Sequence, residues 1–347
     1  MRSHQPSQVP LYDQVMSEPG SFADFQRDPS RECLAALADR IMPGSRPRIV
    51  EHFNGGVRCG VHAVDLIAQS EDSLELVLKR FAAEFIWEDH AAFDCERRLL
   101  EILPRSEVSA PRLIWVDACG AIFGASTLVM TRLPGTPLMK VQARQPSTDT
   151  SWVRPVVRAL AQIQRTPMTA EDLTFLPIMD PGTISREMRA MPESDIEHRV
   201  ASLPWGADVW TTLQRYWSNV PEQSPVLVHG DFHAGNLLWY RNDIAGVIDW
   251  AEAKLGSPER DLAHLRWETV LRYDPEVVDL VQHDYEEEIG HPVPDSAIWD
   301  LMFVWRLGDA IRSWISFFEI EGREATTLNE LEERRRLLIG RALECIR

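Results

Sequence analysis

The sequence predicts an α+β protein in two unequal parts, a smaller part rich in strands and a larger part that is mainly helical. Two observations lead to this fold class. Short apolar runs separated by turn residues fill most of the chain before residue 133, and apolar residues recur at helical spacing over most of the chain after it. We expect an N-terminal extension with one helix over 1–45, a strand-rich region over 46–133 and a helical region over 134–347.

The first two regions have a separate signal for each element. Apolar residues at helical spacing predict a helix over 29–41, and Pro43 and Gly44 end it. Three strands, one helix and two further strands are then predicted from alternating and β-branched apolar runs. In chain order these elements are 48–53, 61–67, 74–81, the helix over 88–103, 112–116 and 125–130.

The third region is helical except around one apolar hairpin. An apolar run over 225–228 is followed by two predicted strands, 237–240 and 244–248, with a short turn between them. The helices predicted in this region are 153–164, 299–318 and one that begins at about residue 327.

Composition and charge argue against two classes of partner, a membrane and nucleic acid. The 347 residues are 44% hydrophobic but contain no uninterrupted apolar run of the ~20 residues that span a bilayer. The net charge of −17 disfavours nucleic acid, which is bound by neutralising phosphates. Residues 1–135 hold 14 Lys and Arg against 19 Asp and Glu, and residues 136–347 hold 22 against 34. The more acidic second part favours a cationic small molecule, although a generally acidic surface explains the same numbers.

The cysteines and the N-terminus indicate the compartment. Five cysteines are scattered along the chain without the spacing of a metal site or a disulfide framework. The first residues are polar and contain proline, unlike a signal peptide. We therefore expect a reducing cytoplasm.

One motif lies between residues 229 and 250 and reads HGDFHAGNLLWYRNDIAGVIDW. Asp231 and Asn236 are five residues apart, and Asp249 follows thirteen residues later at the end of a predicted strand. Phosphoryl transfer requires one carboxylate to take the proton of the attacking hydroxyl. It also requires an amide and a second carboxylate to hold the magnesium that bridges the nucleotide phosphates. This spacing therefore predicts a phosphotransferase.

The pattern HGDxxxxN followed by IDW resembles the aminoglycoside phosphotransferase family, the small-molecule branch of the protein-kinase-like fold. The resemblance implies a bilobal fold with a five-stranded antiparallel N-lobe, one helix in that lobe and a larger helical C-lobe. It also implies a kinase that uses ATP and Mg²⁺ to phosphorylate a hydroxyl of a small molecule. Gly230 and Trp250 stand where protein kinases have arginine and phenylalanine.

The resemblance assigns a role to each motif residue. Asp231 is the expected catalytic base, and Asn236 and Asp249 are the expected magnesium ligands. His229 is expected to brace the turn, and Asp261 to support the catalytic loop rather than take part in the chemistry.

The first part of the chain contains the lysine and glutamate that a kinase-like site requires. Lys79, on the third predicted strand, is expected to contact the α- and β-phosphates. It is the only lysine in residues 1–135, so it has no competitor there. Glu96, on the following helix, is expected to hold it, with Glu101 as the competing candidate.

Two further segments match nucleotide-binding positions of the family. Gly55 and Gly56 fall where a loop covers the phosphates, although an Asn-Gly pair is also a common hairpin turn. Met130, Thr131 and Leu133 fall at the hinge that receives adenine. Beside them, Arg132 stands where the family commonly has a glutamate, which leaves GTP open as an alternative to ATP.

The acceptor and the assembly stay open. Glu319 and Glu321 are the candidate substrate contacts, and the acceptor is an aminoglycoside-like cation, a macrolide or another metabolite. The chain is expected to be a monomer or a homodimer. Two rival functions remain: a zinc metallohydrolase that uses His229, Asp231 and His233, and a member that binds nucleotide without catalysis.

Overall fold

The computed structural model describes residues 27–53, 59–81, 86–169, 171–217, 224–308, 311, 315 and 327–346. The chain divides into two compact units. Unit 1 comprises residues 1–101 and 111–132, and unit 2 comprises residues 102–110 and 133–347.

Unit 1 is a five-stranded sheet with one helix before it and one helix inserted. Its strands follow the order β1-β2-β3-β5-β4, and every neighbouring pair is antiparallel, which confirms the predicted fold class for this part. The elements are α1 (Arg31–Ile41), β1 (Arg46–Phe53), β2 (Cys59–Ile67), β3 (Ser73–Phe81), α2 (Ile86–Ile102), β4 (Leu113–Asp117) and β5 (Thr127–Thr131).

The core of unit 1 forms where α1 packs on the sheet. Alternate side chains of β2 and β3 point to the same face, and on that face Val64 and Leu78 are fully buried with Leu37 of α1. β3 lies between β2 and β5, and Lys79 is paired with Val61 on one side and Leu128 on the other. The central strand of a packed sheet thus fixes the backbone that carries this lysine.

Unit 2 is mainly helical, with two small three-stranded sheets. Its helices are α3 (Leu138–Gln142), α4 (Val153–Gln164), α5 (Pro181–Ala190), α6 (Glu193–Ser202), α7 (Gly206–Trp217), α8 (Glu259–Arg272), α9 (Pro275–Ile289), α10 (Ser296–Leu307) and α11 (Leu328–Ile346). Its strands are β6 (Thr136–Pro137), β7 (Ile178–Met179), β8 (Val226–Val228), β9 (Leu237–Tyr240), β10 (Asp243–Val247) and β11 (Lys254–Gly256).

The predicted helix over 299–318 is wrong at both ends. α10 begins at Ser296 and ends at Leu307, because Gly308 has φ of +51° and leaves the helical conformation. The apolar spacing continued past this glycine and suggested one long helix. Most residues between 309 and 326 lie outside those described.

The two sheets of unit 2 position the motif. β9 and β10 form an antiparallel hairpin, and β8 pairs antiparallel with β11. The segment 229–236, here called the catalytic loop after the role predicted for it, runs from β8 to β9, and the segment 248–253 runs from β10 to β11. Both segments are therefore anchored at each end by paired strands. Among the described residues, no helix combines the length and apolar character needed to cross a bilayer.

Candidate active site

The catalytic loop is closed by hydrogen bonds from Asn236. Its Nδ2 donates to the carbonyl oxygen of Asp231 at 2.9 Å and to the Oδ2 of the same residue at 3.1 Å. The carbonyl oxygen of Asn236 accepts from the backbone N–H of Ile248 at 2.9 Å. These hydrogen bonds hold Asp231 and Asn236 next to the segment that carries Asp249, although both residues are far from that segment in sequence.

The oxygen atoms of this arrangement suit magnesium. Because the Nδ2 of Asn236 donates to Asp231, its Oδ1 is turned away from that carboxylate. Asp249 follows Ile248 and has φ of +66°, a left-handed conformation that a non-glycine residue rarely adopts. An amide oxygen and a carboxylate are the hard ligands that Mg²⁺ prefers. The residues present therefore fit the ion that the motif predicts.

His229 braces the loop from inside. It is fully buried, its Nδ1 accepts from the backbone N–H of Asp231 at 3.3 Å, and its Nε2 lies 3.0 Å from the carbonyl oxygen of Ile248. The proton must therefore reside on Nε2. Burial lowers the pKa of His229, so the ring is neutral at pH 7. The buried ring of Trp250 lies 4.7 Å away and donates its own N–H to Val247 at 3.1 Å.

Asp261 holds the entrance of the catalytic loop. It lies in the first turn of α8 and is fully buried. Its Oδ2 accepts from the backbone N–H of His229 at 2.6 Å, and its Oδ1 accepts from that of Gly230 at 3.1 Å. Gly230 has φ of +86°, and a Cβ there would lie 1.9 Å from the carbonyl oxygen of Glu252. The turn before Asp231 thus requires glycine at this position.

Three further polar residues of α8, which sequence reasoning missed, continue the row behind the loop that Asp261 begins. The Oε2 of Glu268 accepts from the backbone N–H of Ala234 at 3.1 Å, and Arg272 lies 3.6 Å from its other oxygen. His264 lies 4.0 Å from Oδ1 of Asp231. Asp261, His264, Glu268 and Arg272 are spaced by three, four and four residues, which places them on one helix face. That spacing of polar residues along one face of the helix was the available signal.

Two histidines surround the carboxylate of Asp231. The Nε2 of His233 lies 3.4 Å from Oδ2. Burial alone raises the pKa of Asp231, but the charge and hydrogen bond of His233, together with His264 and His229, outweigh burial and lower it. Asp231 is therefore ionised at neutral pH. Its side chain is 41% exposed, so it is accessible to a hydroxyl group.

Unit 1 contains a second charged pair. The Nζ of Lys79 donates to Oε2 of Glu96 at 2.5 Å, and both side chains are buried. Glu101, the competing candidate, is half exposed and pairs with Arg97 on the same helix at 3.0 Å. The structure thus brings Lys79 to Glu96 and not to Glu101.

The residues predicted to form the hinge are divided between the units. Met130 is buried on β5, and Thr131 ends this strand, donating its backbone N–H to Arg112 at 2.9 Å. Arg132, the departure from the family pattern, lies 2.9 Å from Glu75 and 3.1 Å from Asp65 in the sheet of unit 1.

Leu133 is the first residue of the second segment of unit 2, and its Cδ1 packs beside Gly246 of β10. Gly55, Gly56, Glu319 and Glu321 lie outside the described residues.

The zinc alternative does not fit the geometry. Both ring nitrogens of His229 are used by backbone groups, so His229 offers no ligand atom. Among the described residues, the His, Cys and acidic side chains close enough to share an ion are His283, Asp284 and Glu287 of α9, none of which belongs to the motif.

Comparison with known proteins was made for sequence and for fold. The chain matches an uncharacterized protein, YcbJ, of Bacillus subtilis (strain 168), with 27% identity over 34% of this chain and 38% of that protein. It also matches an aminoglycoside 3'-phosphotransferase of Escherichia coli, with 32% identity over 23% of this chain and 29% of that enzyme. The matches therefore span well under half the length of these relatives.

Solved structures show the same fold at low identity. A candidate aminoglycoside phosphotransferase of Ralstonia eutropha JMP134 has a TM-score of 0.61 at 14% identity, over 91% of this chain and 98% of that one. The macrolide 2'-phosphotransferase MphH of Brachybacterium faecium has 0.55 at 18%, over 88% and 96%. A thermostable mutant of the aminoglycoside phosphotransferase APH(4)-Ia, in ternary complex with ADP and hygromycin B, has a TM-score of 0.57 at 14% identity, over 89% and 98%.

The predicted protein-kinase-like fold is thereby confirmed. The model of the phosphotransferase enzyme family matches residues 65–297, which include Lys79, Glu96 and the whole motif. That match covers more than half of the chain. The chain therefore belongs to the phosphotransferase enzyme family.

Proposed function

We propose that the protein is a kinase that transfers the γ-phosphate of ATP, with Mg²⁺, to a hydroxyl group of a small molecule. The observation that carries the proposal is the Asn236 side chain, which binds Asp231 while its backbone binds Ile248. One residue thus joins the carboxylate that would accept a proton to the segment that would hold the metal. A structural turn would not require an ionised, accessible carboxylate at its centre.

In the proposed mechanism, Asp231 orients the acceptor hydroxyl and accepts its proton. A lowered pKa suits this role, because in a loose phosphoryl transfer the proton leaves the hydroxyl late and positioning matters more than basicity. Asn236 prevents rotation of the carboxylate by donating to Oδ2. Asn236 and Asp249 would hold magnesium, which would neutralise the charge of the phosphates.

In unit 1, Lys79 would bind the α- and β-phosphates, and Glu96 fixes the position of its ammonium group. Met130, Thr131 and Leu133 would receive the adenine through backbone groups. GTP remains the alternative donor, since backbone recognition does not by itself select adenine.

The acceptor class follows from charge only at long range. The surplus of acidic residues in 136–347 favours a cationic acceptor such as an aminoglycoside at encounter. A macrolide or another hydroxylated metabolite is the second class. A screen of both for ATP consumption, with mass detection of the added phosphate, would identify the acceptor.

The decisive experiment separates a specific metal ligand from the loss of any one negative charge. We expect Asp249→Ala to abolish the magnesium-dependent part of nucleotide binding, measured by calorimetry with and without Mg²⁺. Asp243→Ala is the matched control, because Asp243 is an exposed aspartate of the neighbouring strand that pairs with Arg158. Equal magnesium dependence in both variants would contradict the assignment of Asp249.

The same protein preparation tests both rival functions. Stoichiometric zinc that survives dialysis would support a metallohydrolase. Magnesium-dependent nucleotide binding without phosphorylation of any hydroxylated compound would support a member that binds nucleotide only.

A further inference from the structure

Three basic side chains of unit 2 lie beside the catalytic loop, and the proposed phosphoryl transfer uses none of them. We call Lys254, Arg260 and Arg306 the loop cations. Lys254 is the first residue of β11 and is paired with Val228, the last residue of β8 before the loop. Its Cε lies 3.1 Å from the position that a Cβ would take at Gly230, directly before the proposed base.

The other two loop cations approach the same loop and strand. The Nη1 of Arg260 donates to the carbonyl oxygen of Gly230 at 2.9 Å. The Nη1 of Arg306 lies 3.3 Å from the sulfur of Met179, and Met179 is paired with Gly256 on β11. Lys254 and Arg260 therefore lie at the start of the catalytic loop, and Arg306 is close enough to lower the pKa of Lys254.

Nearby carboxylates leave this charge only partly balanced. The Nζ of Lys254 is 3.7 Å from Glu252, beyond hydrogen-bond distance, and it makes no hydrogen bond within the part of the chain that the structure describes. Glu252 is itself half exposed, so the pairing is weak. Arg306 is paired with Glu187, but one guanidinium can bind a second oxygen group.

The third nearby carboxylate, that of Asp261, already accepts hydrogen bonds from the catalytic loop. Asp261 lies 3.5 Å from Arg260, but both its oxygens accept backbone N–H groups of the catalytic loop. Burial, and then the charges of Arg260 and Arg306, lower the pKa of Lys254. Mutual repulsion of this kind is relieved when an anion binds among the cations.

We propose that the loop cations bind an anionic group of the acceptor, a carboxylate or a phosphate, near the hydroxyl that Asp231 orients. The inference rests on the proposed function, because it names the substrate class of the same site. Charge-assisted hydrogen bonds from lysine and arginine suit such a group, and arginine binds it through two parallel N–H groups. The acceptor is then a hydroxy acid or a phosphorylated alcohol, not the polycation that net charge alone favours.

Selective labelling of lysine tests the anion site without knowledge of the acceptor. The chain has three lysines, Lys79, Lys140 and Lys254. Pyridoxal 5'-phosphate and pyridoxal carry the same aldehyde and differ by one phosphate. The neutral lysine nitrogen attacks the aldehyde carbon, water leaves, and borohydride then reduces the imine to a stable amine. Peptide mapping by mass spectrometry gives the labelling rate at each lysine, and the exposed Lys140 serves as the internal control.

We expect the ratio of the two labelling rates, phosphate reagent over pyridoxal, to be at least about tenfold higher at Lys254 than at Lys140. Arg306→Gln should reduce this ratio at Lys254 several-fold. The ratio cancels any change in the reactivity of the amine itself. Arg154→Gln is the control, since Arg154 is an exposed arginine that pairs with Glu287. Equal ratios at the two lysines, or a ratio that Arg306→Gln leaves unchanged, would overturn the anion site.

A transfer assay then connects the anion site to the acceptor. Among compounds that accept phosphate, carboxylated or phosphorylated ones should exceed their amino analogues in kcat/KM, and Lys254→Gln should raise KM for the acceptor more than KM for ATP. Preference for the amino analogues would contradict the inference and leave the kinase intact. Selective labelling without transfer to any compound would instead contradict the proposed function.

Discussion

The two charged groups proposed for catalysis are held in opposite ways. In unit 1, the Lys79–Glu96 pair is closed, with one short hydrogen bond and side chains that are 8% and 2% exposed. In unit 2, Asp231 is 41% exposed, and it is fixed by the side chains of Asn236 and His229 within the loop and by His264 behind it. A group that always meets the same ligand can be oriented by a buried partner. A group that must receive an incoming hydroxyl has to be oriented from behind.

Removal of the open carboxylate should have the largest effect. We expect Asp231→Ala to lower kcat by about 10²–10⁴-fold, the usual contribution of a positioned base. The dissociation constant of the magnesium–nucleotide complex should change little, because Asp231 is oriented toward the acceptor in the proposed mechanism. Steady-state kinetics and calorimetry measure the two quantities. Near-normal turnover of the variant would falsify the assignment of the base.

Removal of Glu96, the buried partner of Lys79, should instead destabilise unit 1. Glu96→Ala leaves Lys79 buried without its carboxylate, and breaking such a pair typically costs about 3–5 kcal/mol of unfolding free energy. Glu101→Ala is the matched control on the same helix, where an exposed glutamate should change stability by less than about 0.5 kcal/mol. Urea unfolding of both variants measures the difference. Similar unfolding midpoints would show that the pair contributes nothing special.

A buried histidine of unit 1 should make the stability of the protein depend on pH. His62 in unit 1 is fully buried, and burial, then Arg80 and His52, lower its pKa from 6.5 to about 4, while the exposed Asp28 opposes the shift. Between these pH values the unfolded chain binds a proton at His62 and the folded chain does not. Stability should therefore fall by up to roughly 3 kcal/mol as the pH falls from 6.5 to 4.

The control for this pH dependence is the variant His62→Leu, which removes the titrating group. Other groups titrate in both proteins, so the slope that the variant loses belongs to His62. The measurement is the urea midpoint at several pH values. Parallel curves for the two proteins would exclude this histidine as the cause.

The smallest effect is expected from a change at Asp261, which supports the loop behind the carboxylate of Asp231. Asp261→Asn replaces one of two accepting oxygens by an NH₂ group, so a buried backbone N–H of His229 or Gly230 loses its partner. We expect a loss of about 2 kcal/mol in stability. Because the same bonds fix the loop, kcat should fall as well, while nucleotide binding should persist. Thermal unfolding and kinetics measure both. A stable variant with full activity would show that the loop is held by other contacts.

The sequence allowed prediction of what depends on local pattern and fixed spacing. Apolar alternation predicted the five strands of unit 1. The choice of Lys79 followed because it is the only lysine in residues 1–135. The end of α10 did not follow, because periodicity continues past Gly308 and only the backbone shows that the helix stops. The support from Glu268 was also missed, since burial of a charged side chain depends on tertiary packing.

Gly230 has a consequence for regulation. Protein kinases place an arginine before the catalytic aspartate, and such enzymes are commonly switched on when a phosphorylated segment is ordered by arginine. Here the carbonyl oxygen of Glu252 occupies the space that any side chain would need. Evolution could not restore that switch by one substitution without first displacing the segment that follows Asp249. A switch that needs a side chain at this position is therefore closed to this chain.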